Sequence, residues 1–334
     1  MPKLQSHILV LVWLSTLSAR GFPVAPLNVS DTVNHSELVV VGPVLLAGVR
    51  DATIGSGADA VAAVENTYRV TADEVLKGEM PAGRSISVRY VVPKEFDPRF
   101  RPVPTPSYRI CFLMRQGQGW TFTDSGYPTA PGIRLSGQPT IGEPLDAVVA
   151  NLGGVLCKAP NRNEKVEALA ALRSIAARKS VEAALLGDVS DPEPAIRLDV
   201  IGALLSIGNI THLGEAASAL LASDGKLPDY VLHNLRVGIY TGVHQAEALP
   251  VLTDLLRSPN VVTRRAAVLA IVHTDGQAAI EPLRSGLDDP DQIVRFNCVL
   301  GLAKATGQQD WIPNMDMFKA DEAKYLSHWK NEIR

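Results

Sequence analysis

The chain has 334 residues, 46% of them hydrophobic and 20% charged, the composition of a globular protein with buried cores and a length that favours two domains. Its formal net charge is −3, and neither half is basic. That balance excludes sequence-independent nucleic-acid binding, which needs a positive stripe to displace counterions.

Residues 1–21 read as a secretory signal peptide. Lys3 supplies a charged start, residues 8–17 an apolar core, and Ser18, Ala19 and Gly21 the small residues of a cleavage region. The apolar run is about ten residues, too short to cross a bilayer as a mature helix, and no Cys follows it to take a lipid. The expectation is an exported protein, periplasmic or extracellular, with no membrane insertion of the mature chain. Residues 22–36 carry Pro23 and Pro26 among polar residues and suggest an extended leader. Asn28-Val29-Ser30, Asn34-His35-Ser36 and Asn209-Ile210-Thr211 match the N-glycosylation pattern, which matters only in a eukaryotic secretory pathway.

From Glu37 the hydrophobic period becomes two. Residues 38–49 are apolar with Gly42 and Pro43 inside, which suggests a long strand bent by a bulge. Tyr68, Val70 and Ala72 alternate with Arg69, Thr71 and Asp73. Ile86, Val88 and Tyr90 alternate with Ser85, Ser87 and Arg89. Strands over 108–115 and 120–123 follow, joined by a turn at 116–119. Five strands with irregular links suggest a small barrel or sandwich over 37–130. The runs TYRVTADEVLKG, ISVRY, YRICFLMRQGQG and GYP resemble secreted barrel domains of the netrin-like class, an OB-type barrel group that includes tissue inhibitors of metalloproteinases. Those inhibitors hold a protease metal with an N-terminal Cys. Here the first cysteine is Cys111, so that mechanism does not carry over.

Residues 131–163 form a Pro- and Gly-rich connector with a short helix over 145–152. Beyond it the period becomes helical. Pro192, Pro228, Pro259 and Pro290 recur every 31 to 36 residues. Counted from each Pro, the ninth residue is Ile201, Val237, Val268 or Val299, and the twelfth is Leu204, Tyr240, Ile271 or Leu302. These offsets return to one helix face. The eleventh is small in three of the four (Ala203, Ala270, Gly301). Pro suits the first turn of a helix, and Gly208, Gly276 and Gly307 suit its end. Second helices follow over 213–222, 247–257 and 278–287. An earlier pair over 164–175 and 181–189 lacks the Pro.

The spacing and the pattern Asp289-Pro290-Asp291-Gln292-Ile293-Val294-Arg295 resemble HEAT-like repeats of the short bacterial type, over 162–308. The resemblance implies a right-handed α-helical solenoid, giving an α+β multidomain chain. It also implies a polar ladder between repeats, which assigns Asp191, Arg197, Arg264, Asp289 and Arg295 to structural roles. The repeat at Pro228 departs from its neighbours, with Leu227 at the Asp position and His233 at the Arg position. Residues 309–334 hold Trp311, Met315, Met317 and Phe318, then a face of Tyr325, Leu326, Trp329 and Ile333 that suits a cap on the open end of the stack.

Catalytic chemistry is hard to find in this sequence. No two histidines stand at His-x-x-x-His spacing and no Cys-x-x-Cys occurs, so no metal or cofactor is expected. Gly55-Ser56-Gly57 lacks the Lys-Ser/Thr of a phosphate loop. Asp288, Asp289 and Asp291 read as helix-start carboxylates rather than as a Ca2+ site. Cys298 falls at a core offset, whereas Cys111 and Cys157 are either free or paired with each other. The reading that follows is a non-enzymatic scaffold for another protein. Alternatives are an inhibitor or sensor acting through the barrel, or an enzyme like the bilin lyases found among short HEAT-like proteins. Within the stack, Tyr230, His233 and Arg236 are the expected partner site, because Tyr and Arg supply much interface energy and Arg236 stands at a core offset.

Processing should remove the first 18 to 21 residues. Intact-mass measurement of the exported protein is expected to show a start between Ala19 and Phe22, and a retained Met1 contradicts it.

Overall fold

The computed structural model describes residues 28–95, 102–124, 128–135, 142–176, 178–222, 226–274 and 276–332. The expected signal peptide at 1–21 lies outside the described residues, as does Ile333. The chain divides into two compact units between Asn151 and Leu152, the first built on a sheet and the second on helices.

In the first unit, β1 (Leu38–Ile54) organises everything else. It is followed by β2 (Val61–Thr71), β3 (Glu74–Lys77), β4 (Ser85–Pro93), β5 (Ser107–Gln116), β6 (Gly119–Phe122) and β7 (Thr129–Pro131). The strand order is β3-β1-β2-β4-β6-β5-β7, and β1 also pairs with β5. The hydrogen-bonded path β1-β2-β4-β6-β5 therefore returns to β1. Every pairing in it is antiparallel except β4 with β6.

One strand can serve both neighbours because it changes partner midway. Leu38 to Val44 pair with β5, and Val44 to Ile54 with β2. At the changeover a Cβ on Gly42 would sit 1.8 Å from the Thr71 carbonyl oxygen, so only glycine lets the end of β2 pass so closely. The bulge that the sequence suggested at Gly42 and Pro43 lies further on, where the register slips between Leu46 and Gly48. Pro43 itself stays in the ladder opposite Tyr108.

Strand β4 keeps the expected alternation, with Ile86, Val88 and Tyr90 buried and Ser85, Ser87 and Arg89 exposed. The buried set packs with Leu38, Val40, Val44, Tyr68, Leu113 and Phe122. Phe122 takes Tyr68 and Tyr90 edge-on at 5.9 and 5.6 Å between ring centroids. Cys111 is fully buried in the same core, which pushes its thiol up to about 12, and all three cysteines are free.

Three local expectations are corrected. Residues 29–35 are a helix, α1 (Val29–His35), rather than extended leader, because the Asn28 side chain caps it by accepting from the Asp31 N–H at 3.1 Å. Two short strands, β3 and β7, flank the five that were expected. The connector carries a 15-residue helix, α2 (Pro144–Lys158), starting at a proline. Buried Asn151 on α2 holds both the N–H and the carbonyl of Ile133, at 3.0 and 2.9 Å.

The second unit continues with α3 (Arg162–Arg173), α4 (Lys179–Leu186), α5 (Pro194–Ser206), α6 (Leu213–Ala222), α7 (Asp229–Gly242), α8 (Leu249–Leu256), α9 (Val261–His273), α10 (Ile280–Ser285), α11 (Gln292–Thr306), α12 (Met315–Ala320) and α13 (Glu322–Glu332). The odd-numbered helices pack in series, each on the next, from α3 to α13.

Helix starts correct the repeat register. The helices α5, α9 and α11 begin two residues after Pro192, Pro259 and Pro290. Helix α3 begins two residues after Pro160, so the first repeat does have its proline. Helix α7 begins two residues after Leu227, and Pro228 is its N-cap. Counted from Leu227, the offsets fall into line. The eighth residues are Ala168, Val200, Leu235, Ala267 and Cys298, all fully buried, and the twelfth are Leu172, Leu204, Ile239, Ile271 and Leu302, equally buried. The eleventh residue is small in all five repeats: Ala171, Ala203, Gly238, Ala270 and Gly301.

That small residue has a steric reason. A Cβ on Gly238 would lie 2.3 Å from the Gly202 carbonyl oxygen, and one on Gly242 2.0 Å from that of Leu205. Helices α5 and α7 thus meet backbone to backbone. Gly208, Gly276 and Gly307 take positive φ of 88°, 97° and 73° after their helices. Phe318, Tyr325 and Trp329 of the tail are buried in the repeat core.

Gly238→Ala is expected to lower the unfolding free energy by about 3 kcal/mol, since neither backbone can yield freely. Gly214→Ala, exposed on α6 with nothing within 4 Å of the new Cβ, is expected to stabilise by a few tenths of a kcal/mol to about 1. Urea unfolding of the two variants measures this difference in sign.

Candidate interaction site in the helical repeats

The repeat turns are built alike. The Asp191 and Asp289 side chains each accept from the backbone N–H two residues on, both at 2.8 Å, and Ser258 does the same at 3.2 Å. These local bonds hold the chain in the bend before each helix. The arginine six residues after that Asp or Ser, five after the proline, then locks the turn from the other side. Arg197, Arg264 and Arg295 donate Nη1 to the carbonyls of Asp191, Ser258 and Asp289, at 3.0, 3.0 and 2.6 Å.

The rest of each guanidinium reaches a carboxylate. Arg264 grips Asp289 of the next turn with two bonds of 2.8 and 3.1 Å. Lys165, at the same position of the first repeat, pairs with Asp191. Arg295 reaches Glu322 on α13. Arg197 turns instead to Glu215 on α6, at 2.8 Å, because the next turn offers Lys226 in place of an aspartate. A second line runs alongside, with Arg173 on buried Asp199, which also accepts from Asn234, and Arg265 on Asp291. The Arg265 guanidinium holds the Asp291 carboxyl below its usual range. Near the first rung, buried Asp188 keeps Oδ2 without a hydrogen bond among the described residues. Burial, with Asp191 adding, pushes its carboxyl up to about 6 against the pull of Lys165.

The three residues expected as a partner site separate. The Tyr230 hydroxyl accepts from Arg162 Nη2 at 2.7 Å, and its ring packs on the repeat core. His233 is exposed. It is not the residue equivalent to the ladder arginines, because the one-residue shift gives that position to Leu232. Arg236 is half-buried against α9, donating Nε to the fully buried Thr263 hydroxyl at 3.1 Å. The shift aligns Arg236 with Leu169, Ile201, Val268 and Val299, all fully buried, and burial lowers its pKa. Tyr230 is thus engaged towards α3, and Arg236 towards α9.

Residues beyond the expected three join Arg236. Asp229, His233, Arg236 and Tyr240 follow at steps of three and four, which is one helix stripe, and His244 stands just beyond the end of α7, after the extended Val243. Tyr240 is half-buried, and the exposed His244 ring lies 5.2 Å from that of His273 at the end of α9. The sequence signal for this stripe was its spacing, and counting from Pro228 masked it by giving Tyr240 a core offset. Among the described residues no group of three or more His, Cys, Asp or Glu gathers as a metal needs, and no helix is long and apolar enough to cross a membrane.

Residues 237–321, from late α7 through α12, match the family model for HEAT repeats. The match supports HEAT-like repeats in the helical unit, an architecture that commonly serves as a scaffold for protein interactions. No curated protein matches the chain.

The Arg264 and Asp289 side chains are 12% and 6% exposed, against 73% and 66% for the neighbouring pair Arg257 and Asp254. A double-mutant cycle is expected to give a coupling of about 1–3 kcal/mol for the first pair and within about 0.5 kcal/mol of zero for the second. Equal couplings would remove the ladder as a source of stability.

Proposed function

We propose that the chain is an exported, non-enzymatic scaffold whose right-handed helical stack binds another protein. The observation that carries the reading is the HEAT-repeat match over helices packed in series. Their buried and half-buried charges are spent almost entirely on joining one helix to the next, which is the work of a frame rather than of a reaction centre. Export rests on the pattern of residues 1–21. The partner site belongs to α7, where the ladder is interrupted.

A second reading gives the sheet unit the active part, as an inhibitor or sensor. The strand path returning to β1 supports a small barrel of the OB or netrin-like kind. Its outer face carries an open groove of about 450 Å³ lined by Arg50, Glu65, Thr67, Ser87 and Arg89. Leu45, Leu46, Val49 and Val61 are exposed on β1 and β2.

Lysine cross-linking in the native envelope, read by mass spectrometry, separates the two. The scaffold reading expects links to one recurrent protein from Lys226, beside α7. Links confined to Lys77 and Lys94 of the sheet unit favour the second reading, and no recurrent partner overturns both.

A further inference from the structure

Arg236 differs from every other arginine that joins the helices of the stack. Arg162, Arg173, Arg197, Arg264, Arg265 and Arg295 each hold a carboxylate. Arg236 makes one bond, Nε to Thr263. Among the described residues its two terminal nitrogens have no partner. Burial has taken water from this guanidinium, and Asp229, the carboxylate whose charge acts on it, forms no ion pair with it among the described residues. Its planar fork is the shape that takes a carboxylate through two parallel bonds.

The surroundings favour the same occupant. Tyr240 stands one turn on, and its hydroxyl makes no hydrogen bond among the described residues. His233 on the stripe and the His244–His273 pair beyond its end flank Arg236, both histidines of the pair exposed. The acid on this stripe, Asp229, lies two turns away at the start of α7. Tyr and Arg are among the residue types that anchor protein interfaces. A polyanion such as nucleic acid is disfavoured by the chain's net charge of −3 and by the single unpaired arginine, which offers one carboxylate-sized anchor rather than a track.

We propose that the stripe Asp229, His233, Arg236 and Tyr240, with His244 beyond its end, docks an acidic, extended segment of a partner protein, with one of its carboxylates gripped by Arg236 between α7 and α9. The proposal rests on the scaffold reading and names the chemistry of its partner.

The test is selection of random 12-residue peptides on the whole chain and on Arg236→Ala. Wild type is expected to enrich peptides rich in Asp and Glu. A synthetic winner should bind Arg236→Ala at least about tenfold more weakly. Arg236→Gln keeps a donor for Thr263 and removes the charge, and it should lose binding to a similar degree. Arg236→Gln should melt with the wild type, whereas Arg236→Ala, which strips the buried Thr263 hydroxyl of its donor, should melt lower. Selected peptides without acidic enrichment, acidic winners that bind both variants as well as wild type, or no winners at all overturn the docking site. The scaffold reading fails by a different result, the absence of a recurrent cross-linked partner.

Discussion

The helical unit depends on how closely successive odd-numbered helices approach one another. Where α5 meets α7, carbonyl oxygens lie in the space that a methyl group on Gly238 or Gly242 would need. A small eleventh residue in every repeat makes this possible, and the approach then sets the rest. With the axes that close, a cation on the fifth residue can span to the turn of the next repeat, as Lys165 does to Asp191 and Arg264 to Asp289. Asp199 can accept from Arg173 on one side and Asn234 on the other, tying three helices through one buried carboxylate. The polar framework is thus a consequence of tight packing. It also fixes register, since a slip of one residue would strand each of these charges away from its partner.

The sheet unit meets a similar constraint with a different device. A strand that pairs with β5 at one end and β2 at the other must pass close to the end of β2. Gly42 permits the crossing, and the slip between Leu46 and Gly48 re-aims the remainder of β1. Burial along β1 changes there too, from buried over 38–42 to mostly exposed beyond Val44, but the apolar run 38–49 in the sequence continues through the changeover without marking it.

That contrast marks what could be read from the residues alone. The alternation in β4, the helix ends at Gly208 and Gly307, and the turn-to-arginine spacing of the last two repeats were legible, because each reflects a local rule, whereas Gly276 lies past the end of α9 and precedes the next short turn. The start at Pro160 is hard to see because Ala159 precedes it, where Asp or Ser precedes Pro192, Pro259 and Pro290. Pro228 drew the eye because proline is a strong signal, yet at the N-cap it lies one residue late. Shifting the count by one turns Leu235, Gly238 and Ile239 into core residues. It takes Tyr240 off the core offset and leaves it on the outer face one turn from Arg236. Short β3 and β7 were invisible for another reason: three or four residues are too few to show a period, and neighbours alone hold them in place.

The shift also explains why an unpaired arginine can persist on α7. Its two flanks are held in different ways. Towards α5, three glycines and the Asn234–Asp199 bond give dense backbone contact. Towards α9 the ladder is missing, since Leu232 cannot reach forward as Lys165 or Arg264 does. The polar link that replaces it is the bond between Arg236 and Thr263. Dense packing on one flank secures the helix, which leaves the other free of the ion pairs that lock every neighbouring repeat. A carboxylate arriving at Arg236 would therefore satisfy a charge already stripped of water and would break no existing pair. Anywhere else along the ladder, an acidic ligand would first have to displace an aspartate or glutamate already bonded to its arginine.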